Sequence, residues 1–291
     1  MNEIKTQNIQ WFPGHMTKTK RLIEASLKLV DAVVEIKDAR IPISSSNPDI
    51  EDLIGSKPRL ILLNKCDMAD NQVTAQWISY YNSKGITALA IDCKSGKGHN
   101  NFVPTTRKLL QSFIESRQKR GIPNPTIRVM IVGIPNVGKS SFINRVVKKN
   151  RAKVEDRPGV TRGGQWFTLD RGFELLDTPG VLWPKFEDAT VGERLAFTGA
   201  VKDQILDTEL LAVRLLDLLK DIKPPVFIER FKLSDDDMEL ESYDLLGVIA
   251  KRRGMLISKG EPDTERASVM LLDEFRAAKL GKISLESPKE L

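Results

Sequence analysis

The sequence predicts an α/β domain with a mostly parallel sheet, followed by a small all-helical domain. Up to about residue 200, short apolar runs rich in β-branched residues alternate with longer helical patterns. This alternation is typical of a parallel sheet that is covered by helices on both faces. After about residue 204, only helical patterns follow. A glycine-rich loop at 133–140, between a predicted strand and a predicted helix, supports the same fold class.

The strands of the first domain are predicted where four to six apolar residues stand together. They cover 32–36, 60–63, 87–91 and 127–132, and the segments 166–169 and 173–176 form a hairpin. The helices between them cover 16–29, 73–84, 102–118 and 141–149. A stretch rich in glycine and proline, 121–125, separates two halves of this domain.

The second domain, 206–291, is predicted to consist of helices alone. Its first helix is strongly apolar and ends at Pro224 and Pro225, because proline cannot continue a helix. Ser234 precedes three aspartates and marks a helix start, since its hydroxyl can cap free N–H groups and the acids favour the positive end of the helix dipole. A further helix, 263–280, is predicted to end at Gly281.

The composition indicates a cytoplasmic protein. No apolar run approaches the roughly 20 residues that span a bilayer, and the N-terminal stretch lacks the apolar centre of a secretory signal. Two cysteines cannot build a disulfide framework. The net charge of +6 is concentrated in basic clusters at 117–120, 145–153 and 251–253. We expect a polyanionic partner, RNA rather than DNA, although each cluster alone could be a solvated surface.

The loop 133–140 matches the phosphate-binding pattern G-x-x-x-x-G-K-[ST]. Because it follows a strand and opens a helix, its backbone N–H groups can surround phosphate oxygens. Proline donates nothing, so the donors begin at Asn136 and continue through Val137, Gly138 and Lys139 to Ser140 and Ser141. Lys139 is expected to reach the outer phosphates and Ser140 to bind Mg²⁺. The alternative is a glycine turn that merely precedes a helix.

Residues 64–67, Asn-Lys-Cys-Asp, are expected to read guanine. A carboxylate at Asp67 can accept hydrogen bonds from N1–H and the exocyclic amine of guanine, which adenine does not offer at that edge. A site built this way can reject the wrong base by roughly 10⁴–10⁵-fold. The tetrapeptide alone is weak, but it ends a predicted strand in a chain with a phosphate loop. Asp92 and Cys93, after the next predicted strand, are expected to belong to a second base loop.

A third motif, at 177–180, is expected to sense the terminal phosphate. Asp177 would hold the water shell of Mg²⁺, and the N–H of Gly180 would touch the terminal phosphate. Thr161 is the candidate for a second hydroxyl on Mg²⁺, unless it is an ordinary loop threonine. The predicted GTP-binding residues are therefore Asn64, Lys65, Cys66, Asp67, Asp92, Cys93, Asn136, Val137, Gly138, Lys139, Ser140, Ser141 and Gly180.

The three motifs of a GTPase are present in a permuted order. In most GTPases the phosphate loop comes first, whereas here the base-reading motif precedes it. The sequence therefore predicts a circularly permuted P-loop GTPase domain over 1–205, with a base-reading half at about 20–118 and a phosphate-binding half at about 126–190. Chain ends that lie close together make such a permutation physically easy.

The chain resembles the circularly permuted GTPases of the ribosome biogenesis GTPase A group. The resemblance rests on the three nucleotide motifs and on Gln-Trp-Phe-Pro-Gly-His-Met at 10–16, Asp-Ala-Arg-Ile-Pro at 38–42 and Trp-Pro-Lys-Phe-Glu-Asp at 183–188, and it extends to the helical tail. It implies a GTPase that binds the maturing large ribosomal subunit through rRNA and ribosomal proteins and promotes a late assembly step as a switch. The helical domain 206–291 is then expected to bind RNA or the ribosome. The sequence departs from the common Ser-Ala-Lys base loop, with Asp-Cys-Lys-Ser at 92–95.

Catalysis must work without the glutamine that many GTPases use to orient the attacking water, because Val181 follows the third motif. The resemblance points to His15, whose neutral imidazole can accept a hydrogen bond from water. Alternatively, His15 only packs beside Trp11 and Phe12. The predicted catalytic residues are His15, Lys139 and Thr161.

The resemblance also implies that Asn136 helps to hold K⁺, unless it simply stabilises its turn. A second reading of the whole chain remains open. It is an RNA-binding assembly factor with a structural nucleotide that turns over slowly.

Overall fold

A seven-stranded mixed sheet lies at the centre of the larger of two units in the computed structural model. The structure describes residues 16–149, 153–155, 165–170, 172–178, 188–201 and 207–290. The larger unit comprises 10–185 together with 286–291, and residues 186–285 belong to the smaller unit. The sequence-based boundary lies at 205/206 instead. Helix 189–197 groups with the later helices because it packs against two of them.

The strands are β1 Ala32–Asp38, β2 Arg59–Asn64, β3 Thr87–Ala90, β4 Ile127–Val132, β5 Lys153–Glu155, β6 Gln165–Asp170 and β7 Phe173–Asp177. Their order in the sheet is β3-β2-β1-β4-β7-β6-β5. Neighbouring strands from β3 to β7 in this order are parallel, whereas β6 is antiparallel to both β7 and β5. The predicted parallel sheet and the predicted hairpin are both confirmed.

The helices of this unit are α1 Met16–Leu27, α2 Pro48–Ile54, α3 Asn71–Ser83, α4 Phe102–Leu109, α5 Gln111–Lys119 and α6 Lys139–Lys149. The predicted single helix at 102–118 is wrong, because the chain breaks at buried Leu110 into α4 and α5. Helix α2 lacked a clear periodic signal. It is only seven residues long, with Asn47 capping its start and proline in its first turn.

Helices cover both faces of the sheet. On one face, Ile23 of α1 and Ile50 of α2 pack with Met130 of β4 in a buried apolar cluster. On the other face, the ring of Phe173 in β7 lies 5.7 Å from that of Phe102 in α4. The Phe102 ring in turn lies 5.0 Å from that of Phe142 in α6. These layers fix the strands, so their ends can present loops at constant positions.

The smaller unit is helical in the part that the structure describes. It contains α7 Ala189–Phe197, α8 Thr208–Ile222, α9 Pro225–Phe231, α10 Asp235–Glu239, α11 Ser242–Arg252 and α12 Thr264–Arg276. Helices α8, α11 and α12 pack against one another. The predicted helix start at Ser234 is confirmed by a capping box with Asp237. The predicted helix at 263–280 ends earlier, at Arg276. Across the described ranges, no helix combines the length and the apolar character that crossing a membrane requires.

Candidate nucleotide-binding site

The predicted motifs meet at one edge of the sheet. Strands β1, β2 and β7 end at Asp38, Asn64 and Asp177, and the loops that follow β3 and β4 begin at the same edge. In open α/β sheets, ligands bind at the carboxyl ends of parallel strands. The topology therefore brings together residues that lie more than a hundred positions apart in the chain.

The phosphate loop between β4 and α6 tolerates no side chain at two of its glycines. Gly133 has φ 155°, and a Cβ there would lie 2.6 Å from the carbonyl oxygen of Ile36. Gly138 has φ 100°, and a Cβ there would lie 2.3 Å from Nδ2 of Asn64. The loop is therefore a backbone-lined turn that leads directly into the N-terminus of α6 at Lys139. This arrangement is suited to phosphate oxygens.

Asn64 joins three loops of the site. Its Nδ2 donates to the carbonyl oxygen of Val137 at 2.6 Å, and its Oδ1 accepts from the backbone N–H of Cys93 at 3.1 Å. The backbone N–H of Cys66 also donates to the carbonyl oxygen of Ile91 at 3.2 Å. The amide of Asn64 thus fixes the base-reading loop to the phosphate loop and to the second base loop. The sequence identified Asn64 as a site residue but gave no sign of this bridging role.

The side chain of Asp67 carries a hydrogen-bond acceptor, Oδ1, that the surrounding described residues do not satisfy. Its Oδ1 is buried and has no hydrogen-bond partner among the described residues. A buried carboxylate oxygen without a partner is costly, so such an atom marks a place where a ligand donor is expected. The N1–H and the amine of guanine are donors of the required kind.

Asp177 and Lys139 form the charged part of the phosphate side. Burial raises the pKa of Asp177, and the positive charge of Lys139 opposes that rise. Burial lowers the pKa of Lys139, and the charge of Asp177 opposes that fall. Oδ1 of Asp177 is also buried without a partner in the part of the chain that the structure describes.

A magnesium ion fits this donor set. The exposed hydroxyl of Ser140 and the carboxylate of Asp177 supply the hard oxygen ligands that Mg²⁺ prefers. The described residues contain no group of three or more His, Cys, Asp and Glu side chains that could hold a metal by themselves. Mg²⁺ commonly takes one or two protein ligands and completes its shell with phosphate oxygens and water.

The second base loop is held by its own side chains. The carboxylate of Asp92 accepts from the backbone N–H groups of Lys94 and Ser95 at 2.7 and 2.9 Å. Arg145 of α6 donates to the carbonyl oxygens of Cys93 and Lys94 at 3.2 and 2.8 Å. Burial, followed by the nearby charge of Asp92, raises the pKa of the Cys93 thiol to about 12. The side chains of Asp92 and Arg145 therefore fix the shape of this loop.

A cavity of about 700 Å³ opens between this loop and α6. It is lined by residues that include Cys93, Ser95, Ser141, Asn144 and Arg145. Two of these, Cys93 and Ser141, belong to the predicted nucleotide site.

The sequence-based assignment missed a buried ion pair behind the base-reading loop. Asp38 and Arg40 are each only 2% exposed, and Arg40 donates to both carboxylate oxygens of Asp38 at 3.0 and 2.8 Å. The ammonium group of Lys65 lies 3.0 Å from Oδ2 of Asp38. Burial alone would raise the pKa of Asp38, but the charges of Arg40 and Lys65 outweigh it and hold that pKa well below its usual range. The motif at 38–42 was the available signal.

Three predicted site residues lie outside the described residues. They are His15, Thr161 and Gly180. The other predicted residues fall into two groups at the same edge of the sheet. One is the base side with Asn64, Lys65, Cys66, Asp67, Asp92 and Cys93, and the other is the phosphate side with residues 136–141 and Asp177.

Comparisons with known proteins identify relatives over nearly the whole chain. A family model described as "50S ribosome-binding GTPase" matches residues 128–244. The chain is 47% identical to a ribosome biogenesis GTPase A of Priestia megaterium over 97% of this chain and 98% of the relative. Among solved structures, GDP-bound TM YlqF is similar with a TM-score of 0.66 and 28% identity over 92% of this chain and 99% of that chain. GNP-bound YlqF from T. maritima is similar with a TM-score of 0.64 and 28% identity over 94% and 99%.

Proposed function

Because this chain belongs to the ribosome biogenesis GTPase A family, we propose that it binds the maturing large ribosomal subunit and promotes a late step of its assembly. The chain is a GTPase that converts GTP to GDP and phosphate. The family model that matches 128–244 is named for binding to the 50S subunit, which supports that subunit as the partner. We propose that the protein acts in the cytoplasm and that its partner is RNA rather than DNA or a membrane.

The observation that carries the assignment of the site is the unpaired Oδ1 of Asp67 beside loops that Asn64 holds together. In the proposed complex, Asp67 accepts hydrogen bonds from the guanine edge. The backbone of 136–141 donates to the phosphates, and Lys139 neutralises the outer phosphates. Ser140 and Asp177 would hold Mg²⁺, which, when bound, offsets the charge that develops on the phosphate oxygens.

On the basis of the family resemblance, we assign the activation of the attacking water to His15. The side chain of Val181 cannot orient water, so another residue must accept from it. Thr161 is proposed to add a hydroxyl to the Mg²⁺ shell, and the N–H of Gly180 to contact the terminal phosphate. Asn136 has φ 61°, a left-handed conformation that is uncommon outside glycine. Such a backbone is compatible with a functional turn, and we propose that Asn136 helps to hold K⁺.

The basic side chains contribute unequally to RNA binding. In the predicted cluster 251–253, Arg252 pairs with Asp237 at 2.7 Å and Arg253 with Glu274 at 3.2 Å. These pairs offset part of the charge that the sequence assigned to RNA, and Arg145 is likewise engaged with backbone carbonyls. Lys251 and the exposed residues Lys119 and Arg120 are the better candidates for phosphate contacts.

The decisive experiment measures multiple-turnover phosphate release with and without purified large ribosomal subunits, in K⁺ and in Na⁺. We expect stimulation by the subunit and faster hydrolysis in K⁺. His15→Ala should leave GTP affinity nearly unchanged and lower the stimulated rate several-fold or more. Negligible turnover with subunits present would favour the alternative of a structural nucleotide. Unchanged turnover in His15→Ala would exclude His15 from the mechanism.

Subunit binding is tested separately by co-sedimentation with a GTP analogue, with GDP and without nucleotide, at two salt concentrations. We expect the analogue-bound protein to sediment with the subunit most strongly, and binding to weaken as salt rises. Equal recovery in all three nucleotide states would contradict a nucleotide switch.

A further inference from the structure

The end of the chain returns to the larger unit. Residues 286–291 group with 10–185, although the segment just before them belongs to the smaller helical unit. The first returning residue, Glu286, is only 1% exposed. Its carbonyl oxygen accepts a hydrogen bond from Nε1 of buried Trp77 in α3 at 3.1 Å. The chain therefore passes from the smaller unit to the larger one at 285/286.

The carboxylate of Glu286 holds the loop that follows β1. Its Oε2 accepts from the backbone N–H of Ile43 at 2.5 Å, and its Oε1 accepts from that of Ser44 at 3.0 Å. The hydroxyl of Ser44 also donates to Oε1. Three donors from two consecutive residues thus converge on one buried carboxylate. Hydrogen bonds to a charged acceptor are stronger than neutral ones, so this contact fixes the position of the loop.

The two serines that follow connect the loop to β1. The hydroxyl of Ser45 accepts from the backbone N–H of Asp38 at 3.0 Å and donates to the carbonyl oxygen of Ile41 at 2.6 Å. The hydroxyl of Ser46 accepts from Nζ of Lys37 at 2.8 Å. Each of the three serines at 44–46 therefore faces a different partner, and the loop cannot shift without disturbing the end of β1.

The end of β1 contacts the base-reading loop directly. Asp38 is the last residue of β1, and its carboxylate lies 3.0 Å from the ammonium group of Lys65. Lys65 has φ 61° and stands between Asn64, which joins the loops, and Asp67. A continuous series of polar contacts thus leads from Glu286 through the loop 43–46 and Asp38 to Lys65. Couplings of this kind alter a distant site only if each contact is specific, and here each contact is a defined hydrogen bond or ion pair.

We infer that Glu286 is a positioning residue for guanine recognition, which makes the C-terminal tail part of the nucleotide site. The inference depends on the proposed reading of guanine by Asp67. Loss of the Glu286 carboxylate releases Ile43 and Ser44, weakens the support that the loop 43–46 gives to Asp38 and Lys65, and loosens the loop that carries Asp67. The phosphate loop has its own glycine-determined geometry, so base recognition weakens more than phosphate binding. Because the tail directly follows the helical unit, it links that unit covalently to Glu286, which holds the loop 43–46.

The test compares Glu286→Ala and Glu286→Gln in the full-length chain with Lys289→Ala, a change at an exposed position in the same tail. The affinity for GDP and for inosine diphosphate, which lacks the exocyclic amine, is measured by titration calorimetry below the melting temperature of every variant. We expect Glu286→Ala to raise the Kd for GDP about three- to tenfold and to shrink the preference for GDP over inosine diphosphate. Glu286→Gln should recover part of the loss, and Lys289→Ala should match the wild type.

The kinetic readout distinguishes positioning from a purely structural role. Glu286→Ala should raise KM for GTP by a factor similar to the rise in Kd and change kcat less than about twofold. A variant that melts earlier but binds GDP with wild-type affinity and base preference would overturn the inference.

Failure of the wild-type chain to bind GDP would instead overturn the proposed nucleotide site. If Glu286→Ala does not fold, Ser44→Ala removes one donor only, and an unchanged base preference in that variant and in Glu286→Gln would also refute the inference.

Discussion

Charged pairs are used differently in the two units. In the larger unit, a pair is buried at the end of β1, where the side chains of Asp38 and Arg40 are each 2% exposed. In the helical unit they lie nearer the surface, where the arginines paired with Asp237 and Glu274 are 34% and 32% exposed. A buried pair requires exact partners, because loss of one member leaves an uncompensated charge. The comparison indicates that the pair of Asp38 and Arg40 holds a loop of the candidate site, whereas the pairs of Asp237 and Glu274 join helices.

Backbone conformation separates the units in the same way. In the larger unit, Lys65 and Asn136 adopt left-handed φ values in loops of the predicted site. In the helical unit, Lys223 and Lys232 adopt them at the C-terminal ends of α8 and α9. Left-handed residues commonly end helices, whereas the same conformation in a ligand loop is kept only when its surroundings enforce it. Unpaired buried carboxylate oxygens follow this division, with Asp67 and Asp177 both in the larger unit of the described chain.

The largest expected effect comes from Asp67→Asn. The substitution replaces an acceptor for guanine donors with an amide, so we expect the Kd for GDP to rise about 100-fold. The same amide can donate to the second carbonyl oxygen of xanthine, so xanthosine diphosphate should bind the variant more tightly than the wild type. Titration calorimetry with both nucleotides measures the exchange of preference. Unchanged affinity for GDP would show that the open Oδ1 of Asp67 does not face the base.

The fold followed from local sequence signals, but much of the site did not. Alternating strand and helix patterns predicted the parallel sheet, and the phosphate loop was recognised by its spacing. The contacts of Asp38 with Lys65 and of Glu286 with Ser44 join residues 27 and 242 positions apart. No local pattern specifies such pairings, because they depend on which strand ends and loops the completed fold brings together. Helix α2 was missed for a different reason, since seven residues are too few to show a helical period.

An intermediate effect on GDP affinity is expected from substitution of Asn64, whose side-chain amide joins three loops of the site. Asn64→Ala leaves the carbonyl oxygen of Val137 and the N–H of Cys93 without their partner, and we expect the Kd for GDP to rise about 10- to 100-fold. Asn64→Asp keeps the acceptor for Cys93 but places a carboxylate oxygen opposite the carbonyl oxygen of Val137, where the wild type has a donor. It should therefore also lose affinity for GDP. Asn82→Ala, at an exposed position near the end of α3, serves as the control. Affinity equal to that of the control would mean that the three loops hold their positions without Asn64.

Glu274→Gln in the helical unit is expected to leave the Kd for GDP unchanged within error and to affect only stability. The carboxylate of Glu274 accepts two hydrogen bonds from Arg230, both 2.6 Å long. These bonds lower the pKa of Glu274 below its ordinary value of 4.5. Burial opposes this shift, and the charges of Arg230 and Arg253 add to it. Glu274→Gln should reduce the free energy of unfolding at neutral pH by about 1 kcal/mol, because the arginines are partly exposed to solvent.

The pH dependence of this loss follows from the sign of the shift. A carboxyl group whose pKa is lower in the folded state stabilises the fold above its ordinary pKa, and that contribution disappears as the pH falls. The difference between the wild type and Glu274→Gln in urea unfolding should therefore be full near pH 7 and shrink below about pH 4.5. Asp273→Asn, on the exposed side of the same helix, is the matched control and should change little. A difference that stays constant with pH would show that Glu274 acts by packing, and a changed Kd for GDP would break the division of roles between the two units.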